Sequence, residues 1–215
     1  MIRRVLERTQ RASALSRVIV ATDDRRIYEA VAPYGEVVMT DPSHESGSDR
    51  VAEVVRTIDC EIVVNVQGDL PLLEPALVDA LVAMLVEQPE LGMATLAVPI
   101  RSREELEDES VVKVVCDGEG RALYFSRAAV PFDRDAPGSF AHAWHHVGLY
   151  AYRRQTLLDF SALAPSTLER IEKLEQLRAL ENGIRIGVLR RDDPPPLEVD
   201  TSADLERVRS AIAVS

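Results

Sequence analysis

The amino-acid sequence predicts an α/β fold, a mainly parallel layered sheet with one mixed region. A continuous apolar run at residues 18–21 is typical of a strand buried on both faces of a parallel sheet, and residues 61–67 give the strongest strand signal in the sequence. Apolar residues recur at helical spacing in segments such as 1–12 and 75–87, which alternate with the strands. Residues 111–126 have the pattern of an antiparallel hairpin, which accounts for the mixed region.

Each predicted element follows from a local signal. Strands are predicted at residues 18–21, 37–39, 61–67, 93–99, 111–116, 122–126, 146–152 and 184–189. Helices are predicted at residues 1–12, 27–31, 49–56, 75–87, 157–163, 166–180 and 203–213, with a solvated helix or loop at 104–109. Gly35 stands where the second helix would end, and Pro75 opens the fourth, a position that helices tolerate. Residues 41–48 are polar and rich in turn-forming types, which predicts a loop.

The composition is that of a globular protein and disfavours several classes of partner. Among 215 residues, 25 Lys and Arg stand against 36 Asp and Glu, a formal net charge of −11 that disfavours nucleic-acid and anionic membrane surfaces. No apolar run approaches the ~18 residues of a membrane span, and the N-terminus lacks a signal-peptide pattern. Cys60 and Cys116 are isolated in apolar runs, which predicts buried thiols in a reduced, cytoplasmic protein. One domain over residues 1–215 is expected.

Two acidic residues are candidate ligands of a divalent cation. Asp69 follows the strongest predicted strand and a glycine that allows close approach of a ligand, and Asp200 precedes the last predicted helix. Ligands of such sheets bind beyond the carboxyl ends of the strands, and Mg²⁺ favours one or two carboxylates together with substrate phosphates. The residue pattern equally allows Asp69 to be a turn residue and Asp200 to belong to a helix entry.

Three other polar segments each allow two interpretations. Residues 44–50 open a helix, whose first N–H groups suit an anion or a base, or they form an ordinary N-cap loop. Arg127 follows an apolar strand, so we expect it to meet an anionic ligand or a structural carboxylate. His142, His145 and His146 cluster without a cysteine or a suitably spaced carboxylate, which disfavours zinc.

Six sequence segments, spread over nearly the whole chain, together resemble one enzyme family. They are Ser46-Gly47-Ser48-Asp49-Arg50, Asn65-Val66-Gln67-Gly68-Asp69, Met93-Ala94-Thr95-Leu96-Ala97-Val98-Pro99, Leu123-Tyr124-Phe125-Ser126-Arg127, Leu174-Glu175-Gln176-Leu177-Arg178 and Val199-Asp200-Thr201. In this order and near these spacings they resemble the 3-deoxy-manno-octulosonate (Kdo) cytidylyltransferases, also called CMP-Kdo synthetases.

The resemblance implies a fold and a reaction. The fold is the nucleotide-diphospho-sugar transferase (Rossmann-like) type. The reaction transfers CMP from CTP to the anomeric hydroxyl of Kdo, giving CMP-Kdo and pyrophosphate for lipopolysaccharide synthesis. It further implies a cytoplasmic homodimer with Mg²⁺ as cofactor, and neither nucleic acid nor membrane as partner.

The resemblance also assigns roles to residues of this chain. Asp69 and Asp200 would be the catalytic, metal-binding pair, and Ser46 and Gly47 would lie beside the cytidine. The implied sugar-binding residues are Gln67, Arg127, His146, Tyr150, Glu175 and Gln176, of which Arg127 would pair with the sugar carboxylate.

Two departures from the family pattern leave alternatives open. Leu70 stands where the family usually has a glutamate after the aspartate, so a second carboxylate is absent from that loop. Family members also have a strand and an Arg- and Lys-containing phosphate loop before the helix at which this sequence begins. The alternatives are a cytidylyltransferase for another sugar acid, such as 8-amino-Kdo or a sialic-type acid, and a non-catalytic sugar-binding protein.

Overall fold

The computed structural model describes the chain except residues 45, 193, 196, 200 and 215 and the side chains of residues 213 and 214. Its strands are β1 (Ile19–Thr22), β2 (Glu36–Met39), β3 (Ile62–Asn65), β4 (Met93–Pro99), β5 (Lys113–Cys116), β6 (Ala122–Ser126), β7 (Trp144–Arg153) and β8 (Ile186–Arg190). Its helices are α1 (Ile2–Thr9), α2 (Arg25–Val31), α3 (Gly47–Val55), α4 (Pro75–Glu87), α5 (Arg103–Glu107), α6 (Arg154–Ala162), α7 (Thr167–Glu172), α8 (Gln176–Glu181) and α9 (Ser202–Val214).

The strands form a two-stranded sheet and a six-stranded sheet. In the smaller sheet, β1 and β2 are parallel. In the larger one β7 pairs antiparallel with β4 along one edge, while the opposite edge pairs with β5 near its start and β3 near its end. β8 is parallel to β4, and β6 closes the hairpin with β5. The α/β class is confirmed, but the mixed region extends through the whole larger sheet because β3 and β4 both run antiparallel to β7.

The side chains of β7 alternate between two apolar cores. Val147, Leu149 and Ala151 pack in the core formed with α4, whose leucine-rich face is buried. Tyr150 and Tyr152 belong to the core on the opposite face, which α6 and α8 cover. Successive side chains of a strand point to opposite faces, so this strand contributes to both cores at once.

The helix predicted over residues 166–180 is two helices in the structure. Ser166 begins α7 with a capping box, in which its hydroxyl and the Glu169 carboxylate each accept a backbone N–H at the helix start. Lys173 then adopts a left-handed conformation with φ 56°, which ends the helix. The chain turns there, so that Leu174 enters the core and Glu175 precedes α8.

Two smaller expectations concern the cysteines and membrane association. Cys60 and Cys116 are free thiols that are half-buried rather than fully buried, and the burial of each raises its pKa. Within the described residues, none of the helices has the length and apolar character needed to cross a bilayer.

Candidate active site

The candidate site lies where β7 changes partner along one edge. Near its start β7 pairs with β5, and the N–H of His146 donates to the carbonyl of Val112 at 2.8 Å. The pairing with β3 begins only at Tyr150, opposite Asn65. The structure describes no strand paired on this edge to the intervening residues 147–149. The chain leaves β3 at this point and leads into the loop of Gln67 and Asp69.

A β-bulge shapes β7 at the same place. On the β4 side, Thr95 lies opposite Tyr150 and Leu96 opposite Val147, so β7 has two extra residues, Gly148 and Leu149. Such bulges bend a strand and redirect its side chains. A Cβ atom built on Gly148 would meet no atom within 4 Å, so there is open space beside this backbone.

Two predicted sugar-binding residues, His146 and Tyr150, are neighbours on one face of β7. Their ring centroids are 5.4 Å apart, and those of Tyr150 and Tyr152 are 5.9 Å apart. Phe125 of β6 packs its ring nearly perpendicular to that of His146, at 4.9 Å between centroids. These contacts form an aromatic row that runs from Phe125 through the two predicted ligands to Tyr152.

Burial fixes the ionisation of both of these residues. Desolvation, with a smaller contribution from His145, lowers the pKa of His146 to about 3, so its imidazole is neutral near pH 7. Burial raises the pKa of Tyr150 well above its usual value, and the neighbouring Tyr152 and Glu175 act in the same direction. The pair therefore presents neutral hydrogen-bonding groups.

Helix α3 brings the predicted nucleotide loop next to Glu175. Ser46 is the N-cap of α3 and accepts the N–H of Asp49 at 3.1 Å, as in the N-cap alternative. In the first turn of the helix, Ser48 donates its hydroxyl to Glu175 at 2.8 Å. Desolvation raises the pKa of Glu175, against the lowering effects of Ser48, Ser46 and Arg178. The loop and this carboxylate thus form one hydrogen-bonded unit.

An arginine on α8 holds Glu175 from the other side. The Arg178 guanidinium lies 3.3 Å from the Glu175 carboxylate and 2.7 Å from that of Glu169. Its side chain is almost fully buried, where charge-assisted bonds are strong. The neighbouring Gln176 at the start of α8 is also buried, at 6% exposure. The break at Lys173 is what places this turn of the chain against α3.

The loop after β3 contacts the start of α3 and a C-terminal segment. A Cβ built on Gly47 would lie 3.6 Å from the amide oxygen and nitrogen of Gln67, so the two predicted ligands are adjacent. The N–H of Val199 donates to the backbone carbonyl of Asp69 at 3.1 Å. Asp200 itself lies outside the described residues, so the bond fixes only its chain neighbour beside Asp69.

Arg127 is held by backbone carbonyls rather than by a structural carboxylate. Its Nε donates to the carbonyl of Glu172 at 2.9 Å, and its Nη1 donates to the carbonyl of Glu109 at 2.9 Å. The Glu172 carboxylate accepts the backbone N–H of Arg127 at 3.0 Å. From the other side, Lys113 donates its ammonium to the Arg127 carbonyl at 2.6 Å. These hydrogen bonds hold both the main chain and the side chain of Arg127 at the end of β6.

Several residues that organise the site were given no role in the sequence analysis. They are polar groups that support a predicted ligand: Ser48, Thr95, Lys113, Glu172 and Arg178. A polar residue inside an apolar run, as with Thr95 in β4 and Lys113 in β5, is the signal that could have identified two of them.

The described residues alone do not form a protein-only metal cluster. Among them, no group of three or more His, Cys, Asp or Glu side chains is arranged to hold an ion.

Sequence similarity to known proteins identifies the family of this chain. A cytidylyltransferase family model matches residues 1–186. The chain belongs to the cytidylyltransferase family. The 3-deoxy-manno-octulosonate cytidylyltransferase of Syntrophotalea carbinolica is 49% identical over 219 residues, which cover 98% of this chain and 87% of that protein. The one from Geobacter sulfurreducens is 50% identical over 218 residues, or 97% of this chain and 87% of the relative.

A solved structure extends this similarity to three dimensions. CMP:2-keto-3-deoxy-manno-octonic acid synthetase complexed with CTP is 41% identical, with a TM-score of 0.92 over 99% of this cytidylyltransferase and 87% of that chain. This similarity confirms the fold expected from the resemblance.

Proposed function

We propose that this cytidylyltransferase transfers CMP from CTP to the anomeric hydroxyl of Kdo and releases pyrophosphate. The observation that carries the proposal is a continuous set of contacts that joins His146, Tyr150 and Glu175 through Tyr152 and Ser48, with the loop of Gln67 beside the start of α3. We infer that these residues line one cleft. The relatives named for this reaction are about half identical to this chain over nearly its whole length.

In this proposal the cleft binds a polyhydroxylated acid. Neutral His146 and Tyr150, with the carboxylate of Glu175 and the amides of Gln67 and Gln176, hydrogen-bond the sugar hydroxyls. Arg127 faces the sugar carboxylate, which its fork of N–H donors suits. Because two backbone carbonyls already orient its guanidinium, little conformational entropy remains to be lost when the acid binds.

The nucleotide is assigned to the loop at the start of α3. Ser46 and Gly47 lie beside the cytidine, where the small glycine leaves room next to the Gln67 amide. Ser48 of the same helix donates a hydrogen bond to Glu175. The proposed nucleotide-binding and sugar-binding residues are therefore directly connected. Holding two substrates in this way favours attack of the hydroxyl on the α-phosphorus.

Asp69 and Asp200 are the proposed ligands of Mg²⁺. The hydrogen bond from Val199 to Asp69 supports this pairing, because it brings the residue before Asp200 to the predicted ligand. When bound, the ion supplies charge neutralisation at the phosphates of CTP. The role of the protein is to position these carboxylates beside the cleft.

We further propose that the enzyme acts as a single-domain homodimer in the cytoplasm, in lipopolysaccharide synthesis. Phe132 and Phe140 are 75% and 37% exposed, and large apolar side chains of this kind are common at subunit interfaces.

The test is pyrophosphate release from CTP and Mg²⁺ with three sugar acids in parallel: Kdo, 8-amino-Kdo and N-acetylneuraminate. We expect the highest kcat/KM with Kdo. A clear preference for another acid would redirect the assignment, and no release with any of them would favour the non-catalytic alternative. Asp69→Asn serves as the inactive control, because it keeps the size of the side chain and removes its charge.

A further inference from the structure

A buried threonine of β4 lies beneath the bulge of β7. Thr95 has no exposed surface, and its Oγ1 lies 3.0 Å from Nε2 of His146. The same oxygen is 2.9 Å from the carbonyl of Leu149 and 3.2 Å from the carbonyl of Val147. The bulge brings these two carbonyls to one hydroxyl, because it places two extra residues of β7 opposite the step from Thr95 to Leu96.

The number of available hydrogens determines how these four groups bond. A threonine hydroxyl has one hydrogen to donate, and its oxygen can also accept. Both carbonyls can only accept, so the hydrogen of Thr95 belongs to them, with Leu149 as the closer partner. The oxygen of Thr95 then accepts from His146, which requires a hydrogen on Nε2.

The opposite tautomer leaves the arrangement unsatisfied. With the hydrogen on Nδ1 of His146, Nε2 would be an acceptor and would take the single hydrogen of Thr95. The two carbonyl oxygens would then face the lone pairs of Oγ1 at 2.9 and 3.2 Å without a hydrogen between them. In a site buried from water, such an unmade bond costs about 1–3 kcal/mol.

We propose that Thr95 is a positioning residue that locks His146 in the Nε2–H tautomer, so that Nδ1 acts as a hydrogen-bond acceptor for a donor group of the substrate. This inference rests on the proposed function for its substrate, since His146 is assigned there to a sugar hydroxyl. It adds a direction to that bond, because the hydroxyl donates and the imidazole accepts.

The surroundings of the ring hold it in this role. Phe125 packs against it at 4.9 Å and Tyr150 at 5.4 Å, which restricts rotation of the imidazole. Burial keeps the ring neutral, so Nδ1 does not take up a proton near pH 7. A substrate with a hydroxyl or an amine at this position can donate to Nδ1, whereas an ether or carbonyl oxygen there would oppose its lone pair.

The tautomer can be read directly by NMR of this protein with isotopically labelled histidine. The chain has four histidines, and His146→Gln identifies the signal of interest. In the wild-type protein without substrate, we expect the pattern of a neutral imidazole with its hydrogen on Nε2. The pattern of the Nδ1–H form would overturn the inference.

Two variants of Thr95 test whether its hydroxyl determines the tautomer of His146. Thr95→Val keeps the shape and removes the hydroxyl, so we expect the Nδ1–H form to appear and the KM for Kdo to rise about tenfold, the effect of one lost hydrogen bond. The KM for CTP should change little. Thr95→Ser restores the hydroxyl and should restore both the tautomer and the KM.

The other possible results for these variants either support or refute the role of Thr95. An unchanged tautomer in folded Thr95→Val, or a Thr95→Ser variant that resembles it, would refute the role of the hydroxyl. If Thr95→Val does not fold, the wild-type tautomer and Thr95→Ser still decide. The tautomer is measured without substrate, so a wild-type protein that transfers no CMP to Kdo would contradict the proposed function alone.

Discussion

Gly148→Ala separates binding of the substrate from stability of the fold. A Cβ at this position meets no protein atom within 4 Å, so the added methyl group causes no collision in the free protein. Val147 and Leu149 both pack in the α4 core, so the residue between them faces the side of His146 and Tyr150. The methyl group would enter the space that the proposed function gives to the sugar.

The substitution should affect both the free energy of unfolding and the affinity for the sugar. Without a collision, replacing glycine by alanine raises the free energy of unfolding by about 0.4–1 kcal/mol, because the unfolded chain loses freedom. A sugar in van der Waals contact with the backbone of Gly148 would overlap the methyl group. A misfit of about 1–3 kcal/mol, typical of overpacking, weakens binding by roughly 5- to 150-fold.

The assay for Gly148→Ala is a pair of measurements on the same preparation. Thermal unfolding should show a melting temperature equal to or slightly above that of the wild type, while the KM for Kdo rises and the KM for CTP is little changed. Gly118→Ala, in a turn where the Cβ also meets no atom within 4 Å, is the matched control and should leave the KM for Kdo unchanged. An unaltered KM for Kdo in Gly148→Ala would refute the placement of the sugar.

Three further changes test other contacts of the site. Lys113→Met should lower the free energy of unfolding by about 3 kcal/mol in urea titration, because three carbonyls lose the buried ammonium that bonds them at 2.6–2.8 Å. Ser48→Ala should raise the KM for Kdo about tenfold, since Glu175 loses the hydroxyl 2.8 Å away. Stability should fall as the pH decreases from about 6.5 toward 3, by up to about 1.4 kcal/mol per pH unit from His146, whose pKa burial lowers to about 3. The lowered pKa of His145, also caused by burial, acts in the same direction.

Matched variants isolate each of these effects. The exposed Lys173→Met should leave the urea midpoint near that of the wild type. Below pH 6.5 the unfolded chain binds a proton at residue 146, whereas the buried imidazole of His146 in the folded protein does not. His146→Gln should therefore flatten the slope of the unfolding free energy against pH between pH 6.5 and 5. An unchanged slope in that variant, or a wild-type stability that rises as the pH falls, would contradict the assignment. For Ser48→Ala, equal increases of the KM values for Kdo and CTP would argue against a specific role in holding Glu175.

The elements with strong local signals could be predicted from the sequence to the residue. Pro75–Glu87 and Met93–Pro99 have the predicted bounds, because a proline opens the helix and a continuous apolar run fills the strand. The break at Lys173 could not be predicted, since residues 166–180 keep helical spacing. It depends on tertiary contacts, namely burial of Leu174 and the pairing of Arg178 with Glu169.

The resemblance proposed the members of the candidate site, but the contacts between them could not be predicted from the sequence. The motifs identified His146, Tyr150 and Glu175, whereas the bond between Ser48 and Glu175 joins residues 127 apart in the chain. The bulge that gathers two carbonyls around Thr95 was not predicted, although a glycine inside a strand, here Gly148, often marks a bulge. The pairing of Asp69 with Asp200 stays a prediction.

Transfer of CMP to the sugar acid can be followed most directly by ³¹P NMR of a mixture of CTP, Kdo, Mg²⁺ and this protein. We expect the CTP signals to decline while CMP-Kdo and pyrophosphate form in equimolar amounts, so that the pyrophosphate signal, from two phosphorus atoms, grows twice as much as the phosphodiester signal. Persistence of CTP, or pyrophosphate that appears with free CMP whether or not Kdo is present, would contradict the proposed reaction.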